Sequence, residues 1–196
     1  MTSRWVVEVA SKRDVQVRWR AYSLAIKNAD VDVPEPYRGW AATAQQALRV
    51  VEAVWADHGD APIGPLYTEI GTRFHLEEDR TLAAVARALE AVGLDTAYMW
   101  ASINEQWDAE IRDSMAQAID LVGNDVGVPI LVFREDERTA ALFGPVVSPM
   151  PVGQEALDLW DHVVALAWSP SFFELKRSRT GPPLVRGAAM EQAARA

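Results

Sequence analysis

The sequence predicts an α/β fold with an all-helical stretch set into its middle, and three observations lead there. The first is the apolar run Ile130-Leu131-Val132-Phe133, led in by Gly123-Asn124-Asp125-Val126-Gly127-Val128-Pro129. The second is a period of two over residues 15–22. The third is helical periodicity, with little strand signal, across most of residues 28–103.

Taken in order, Thr2 or Ser3 is placed to cap a helix that carries Trp5, Val6, Val9 and Ala10 on one face. Lys12 and Arg13 fall in its last turn, where cations suit the helix dipole, and Asp14 ends it. Val15, Val17, Trp19 and Ala21 then alternate with Gln16, Arg18, Arg20 and Tyr22, which predicts a strand. Residues 28–37, with Asp30, Asp32, Pro34 and Pro36, read as a loop. A helical face follows through Trp40, Ala44, Ala47, Val51, Val54 and Trp55 up to Gly59. Gly64-Pro65 places proline at the first helical position of the next helix, through Leu66, Ile70 and Phe74. Asp79 is the expected cap of a helix running to Gly93, and residues 95–101 add a turn or two.

Trp107, Ile111, Met115, Ala118, Ile119 and Val122 stripe the helix that Gly123 closes. The run from Ile130, opened by Pro129, reads as a strand buried on both faces, and the Val128-Pro129 bond as a candidate cis peptide. A polar connection over residues 134–139 leads to a second strand over residues 140–147, and residues 155–167 form a closing helix. The order is helix, strand, helical insertion, helix, proline-led strand, strand, helix. That is the order of a thioredoxin-like fold with its first strand missing, since the opening helix belongs midway through a βαβ crossover. The expected division is residues 1–27 with 104–185 for the thioredoxin-like domain, 28–103 for the helical insertion, and a flexible tail over 186–196.

Composition narrows the function classes. The formal charge of -9, without a basic stripe, argues against nucleic acid and anionic membranes as partners. No signal peptide or membrane span is legible, so a cytoplasmic protein is expected. There is no cysteine in the 196 residues, hence no disulfide and no thiolate nucleophile. Eight tryptophans offer core packing or the lining of a ligand cleft. His75 stands near Glu77 and Glu78, a thin donor set for a metal, and a polar surface histidine is the simpler reading; no metal is expected. His58 and His162 have no nucleophile and acid at readable spacing, so no hydrolase triad is supported. No phosphate-cradling glycine loop or nucleotide fingerprint is present. Asn28 and Tyr37 flank a loop at the end of the first legible strand, where α/β sheets tend to place a ligand; from spacing alone, turn chemistry is the better explanation of them.

Thr2-Ser3-Arg4-Trp5, Ser23-Leu24-Ala25-Ile26-Lys27-Asn28, Pro65-Leu66-Tyr67, Val126-Gly127-Val128-Pro129, Phe143-Gly144-Pro145-Val146 and Phe172-Phe173-Glu174-Leu175-Lys176-Arg177-Ser178-Arg179-Thr180 resemble one family. It is the DsbA-like, mycothiol-dependent nitroreductases of actinobacteria, similar to FrnE-type thiol-disulfide oxidoreductases. The resemblance runs from Thr2 to about Pro183. It implies a thiol-dependent oxidoreductase with mycothiol or a similar small thiol as cofactor and a small-molecule or disulfide substrate. It also implies a Cys-Pro-Trp-Cys motif at a helix N-terminus, where the dipole lowers the thiol pKa. By the same resemblance, Val128 and Pro129 sit against the reacting sulfur, and Asn28, Tyr37 and His75 contact substrate or cofactor. Both cysteines and the first strand are absent here. A misplaced start or truncation, with a further strand upstream, is the expected reason, because a lost central strand leaves strand edges unpaired and the chain poorly stable. A non-catalytic thioredoxin-fold binding protein is the alternative. A kappa-class glutathione transferase or isomerase is the third, weakened because Ser3 lies too far into the helix to replace the first cysteine.

Overall fold

In a computed structural model of the chain, residues 1–178 are described. The expected tail over 186–196 and the end of the expected thioredoxin-like domain lie outside them. Seven α-helices are described: α1 (Thr2–Ala10), α2 (Leu24–Lys27), α3 (Glu35–His58), α4 (Ile63–His75), α5 (Leu82–Ala91), α6 (Asp108–Val122) and α7 (Gly153–Ala167). Two 3₁₀ stretches, Thr96–Ile103 and Glu105–Trp107, lie between α5 and α6, and strands β1 (Ile130–Glu135) and β2 (Arg138–Phe143) lie between α6 and α7. The chain is thus mixed α/β with a small sheet. It divides into two compact units, Arg18–Gln117 and, around it in sequence, Met1–Val17 with the described chain from Ala118 on.

The unit that holds both described termini is built around Trp5. Its ring is fully buried, its Nε1 donates to the Ala156 carbonyl at 2.9 Å, and Val6, Val9, Phe133 and Val163 complete the core. Trp160 joins Trp5 and Phe133, with ring centroids 5.7 and 5.6 Å away. Helix α1 starts at Met1 rather than on a capping side chain: the Thr2 hydroxyl donates instead to the Pro145 carbonyl at 2.7 Å, a tertiary tie that outbids the local cap. Lys12 and Arg13 fall just beyond α1 and pair with Glu8 and Asp161.

β1 and β2 form an antiparallel hairpin in the register Ile130↔Phe143 to Glu135↔Arg138, so the turn needs only Asp136 and Glu137. Asp136 takes the left-handed conformation (φ 51°), which aspartate tolerates and which suits a two-residue hairpin turn. The connection is shorter than the sequence suggested, because Arg134 and Thr139 pair with each other inside the ladder. The Val128–Pro129 peptide is cis. β1 is not buried on both faces: Phe133 enters the core while Val132 is 39% exposed. A sheet of two strands has one packed face here and, on the side of β1 away from β2, an edge without a ladder partner among the described residues.

Residues 15–22 keep the expected alternation in burial, with Val15, Val17 and Trp19 half-buried and Gln16, Arg18 and Arg20 exposed, but they are not a strand. A period of two sets which side chains turn inward; a strand also needs a neighbour for its backbone, and none pairs with this segment among the described residues.

The unit of Arg18–Gln117 is helical. Val50, Val54, Leu66, Val85, Leu89 and Ala101 are fully enclosed at its centre. α3 begins at Glu35, five residues before the expected face, because Pro34 supplies an extended lead-in and the residues after it have no strand to join. α4 begins at Ile63, which puts Pro65 third in the helix, still within the turn whose N–H groups have no intrahelical partner. Thr81, not Asp79, caps α5: its hydroxyl accepts from Ala84 N at 3.2 Å while Asp79 accepts from Thr81 and pairs with Arg87. Asp108 is clamped by Arg49 through Nε (2.7 Å) and Nη2 (2.8 Å) and by Gln45 (2.6 Å), and Arg49 also donates to the Ser102 carbonyl at 3.2 Å. This fork ties α3 to the 3₁₀ stretch and to the first turn of α6.

Candidate functional site

Asn28 and Tyr37 are far closer in space than a loop of that length requires. Asn28 follows the single turn of α2, which Ser23 caps by accepting from Ile26 N at 3.1 Å. Tyr37 sits in the first turn of α3. The Asn28 amide Nδ2 donates to the Tyr37 hydroxyl at 3.0 Å, and both side chains are half-buried. The tyrosine hydroxyl therefore keeps its own proton for a further acceptor.

One turn along α3, Trp40 packs against Tyr37, with centroids 5.6 Å apart and ring planes at 56°. The Trp40 Nε1 is shielded from solvent and has no acceptor among the described residues. Such a donor costs about 1–3 kcal/mol when it is left unmade. The Arg80 guanidinium lies over the Trp40 ring, 5.8 Å from its centroid, with its Nε donating to the Phe74 carbonyl at 3.2 Å. His75, the last residue of α4, follows Phe74 directly. Its pKa is held below the usual histidine range, first by desolvation and then by the Arg80 charge.

Asn28, Tyr37, Trp40 and Arg80 thus form a continuous polar and aromatic path within the helical unit, with His75 close enough to Arg80 to feel its charge. It offers donors throughout: amide, phenol, indole, guanidinium and imidazole. Trp40 and Arg80 were not singled out from the sequence. Tyr37 and Trp40 are three residues apart, a helical spacing, but reading residues 28–37 as loop hid that they share a face. Arg80 carried no local signal, since its place depends on how the α4–α5 connection folds.

Val128 and Pro129 lie in the other unit, immediately before β1. Val128 is 42% exposed, and the Pro129 carbonyl accepts from Gly144 N at 2.8 Å, closing the open end of the hairpin. His58 meets Tyr98 and not Asn28 or Tyr37: its Nε2 is 3.0 Å from the Tyr98 hydroxyl, which donates to Asp57 at 2.7 Å. Among the described residues no group of three or more histidine, aspartate or glutamate side chains could hold a metal, and no helix is long and apolar enough to cross a membrane.

Two comparisons bear on this arrangement. A family model, Rv2466c-like, described as mycothiol-dependent nitroreductase Rv2466c, matches residues 1–177. The chain is also similar to the uncharacterized protein Rv2286c of Mycobacterium tuberculosis (strain ATCC 25618 / H37Rv), at 28% identity over 185 residues, covering 91% of this chain and 76% of that protein.

Proposed function

Because the chain belongs to the Rv2466c-like family of mycothiol-dependent reductases, we propose that it forms the ligand-binding body of a thiol-dependent reductase of the thioredoxin-like, DsbA-related type. The observation that carries this reading is a contrast: a thiol-using family matches residues 1–177, yet none of the 196 residues is a cysteine. The reacting sulfur is then proposed to reside where an additional strand, added at the free edge of β1, leads into a helix N-terminus. Residues 15–17 support this, because Val15 and Val17 alternate with an exposed Gln16 in strand fashion while their backbone pairs with no strand among the described residues.

Mycothiol, the thiol on which the family depends, would supply the reducing sulfur. The residues present do not fit a mixed disulfide with it, since no side chain offers a thiol, so no exchange step runs through this chain's own atoms. What they fit is binding. Asn28 orients the Tyr37 hydroxyl, and Tyr37, with His75, offers hydrogen bonds to the polar body of a thiol or substrate. Val128 and Pro129, at the entry to β1, are proposed to face the reacting sulfur.

The test is the intact mass and N-terminal peptide of the protein from its own cells. A heavier product with a Cys-x-x-Cys segment ahead of Thr2, reducing nitroaromatics only when the thiol is supplied, is the expected result. A product beginning at Met1 would end the thiol-exchange reading. The second reading, a non-catalytic binding protein, is favoured by the same missing cysteine. It predicts that mycothiol quenches tryptophan fluorescence saturably with no turnover in the native product.

A further inference from the structure

We propose that Arg80, seated on Trp40, anchors the carboxylate-like head of a small organic anion in the helical unit. The inference rests on the reading above that the Asn28, Tyr37 and His75 side of this unit faces ligand, and it adds the chemical class of what is held there.

Arg80 is a cation whose neighbours have other commitments. Asp79 pairs with Arg87 and accepts from Thr81, and Arg73 pairs with Glu69. Glu77 and Glu78, adjacent in sequence, make no ion pair with Arg80, and no carboxylate among the described residues lies within ion-pair distance of it. The guanidinium is nonetheless held in place, by the Phe74 carbonyl on Nε and by the Trp40 ring at 5.8 Å. Fixing Nε leaves the two Nη atoms as a fork with a set direction, and a fixed fork loses little rotamer freedom when it binds.

The surrounding groups match an acceptor. Trp40 Nε1 is dry and without an acceptor, and the Tyr37 hydroxyl, already accepting from Asn28, has its proton to give. A ligand with two oxygens on one planar carbon answers a guanidinium fork bidentately, and a flat ring behind that carbon suits the Tyr37–Trp40 pair. A neutral amide of the same shape would bring one donor group towards a set of donors and be rejected.

Benzoate is the probe, titrated into the full chain and followed at the Trp40 indole N–H by 1H–15N correlation spectroscopy, with benzamide as the neutral isostere. The expected result is a saturable shift with benzoate, none with benzamide, and an affinity at least about tenfold weaker in Arg80→Gln. Arg80→Lys keeps the charge and loses the fork, so it should fall between the two, and it carries the test if Arg80→Gln alters the amide spectrum. Arg134→Gln, on β1, should match the parent. Equal benzoate affinity in the parent and both Arg80 variants would overturn the proposal, as would no saturable Trp40 shift up to about 20 mM, weaker than useful recognition. The titration needs no thiol, so it can fail while the thiol-reductase reading stands, and the reverse.

Discussion

In the unit of Arg18–Gln117, Val50, Val54, Leu66, Ala84, Val85, Ala88, Leu89, Ala101 and Ile111 have no exposed surface; among the described apolar residues of the unit of α1, β1, β2 and α7 only Trp5, Val9 and Ala156 reach that state. The first unit is made of helices, and each helix meets most of its backbone hydrogen bonds within itself. Its remaining task is to bury one face, and short connections achieve that. The second unit carries a sheet, and a strand meets its backbone bonds only through a neighbour. Among the described residues β1 has β2 on one side and no ladder partner on the other, and residues 15–17 have none at all. The two units show that apolar pattern alone completes a helical core but not a sheet.

Breaking the sheet-bearing unit at its centre should have the largest effect. Trp5→Ala removes the most enclosed ring and leaves the Ala156 carbonyl without its donor, with an expected loss of about 4 kcal/mol. Hydrogen exchange should show it as lost protection in α1 and α7. Retained protection there would mean that Trp5 is not the centre of that core.

Arg49→Ala tests the helical unit at its polar clamp. It strands the Asp108 carboxylate, and a loss of about 3 kcal/mol is expected from urea unfolding followed by hydrogen exchange in α3 and α6. The same clamp sets an acid dependence. Hydrogen bonds from Arg49, opposed by desolvation and helped by Gln45, hold the Asp108 pKa below the ordinary aspartate value. A depressed carboxylate contributes stability that is fully present above the unfolded pKa and lost as pH falls through the folded one. Stability should therefore be insensitive to this group above about pH 5 and decline below about pH 4, and Arg49→Ala should flatten that decline. A decline of equal steepness in the variant would assign it to other carboxylates.

The smallest effect should come from Thr81→Ala, which removes the hydroxyl that accepts from Ala84 N. About 1 kcal/mol is expected, confined to exchange at the start of α5. A comparable loss in Asp79→Ala would shift the capping role towards Asp79, the residue the sequence pointed to.

Much of the element order was legible because it rests on local pattern. The stripe from Ile111 to Val122 with Gly123 behind it, the apolar run after Pro129, and the last helix each carry their own start, period and stop. Errors arose where a neighbour decides. Thr81 outcompeted Asp79 because its hydroxyl reaches Ala84 N, and Met1 took the start of α1 because Thr2 was drawn to Pro145. Of the candidate site, Asn28, Tyr37 and His75 came from resemblance, while Trp40 and Arg80 required the folded backbone.

By itself the sequence determined most of the helical stretches, the glycines that stop several of them, that no thiol chemistry can come from these 196 residues, and the net charge that any anionic partner must face. Those follow from side-chain identity and spacing, which need no third dimension. Tertiary structure alone decided that residues 15–22 are extended without being a strand, that Asp108 is held by Arg49, and that Asn28, Tyr37, Trp40 and Arg80 meet. Each of these depends on groups distant in sequence finding or lacking a partner, and hydrogen bonds and ion pairs act only over a few ångströms.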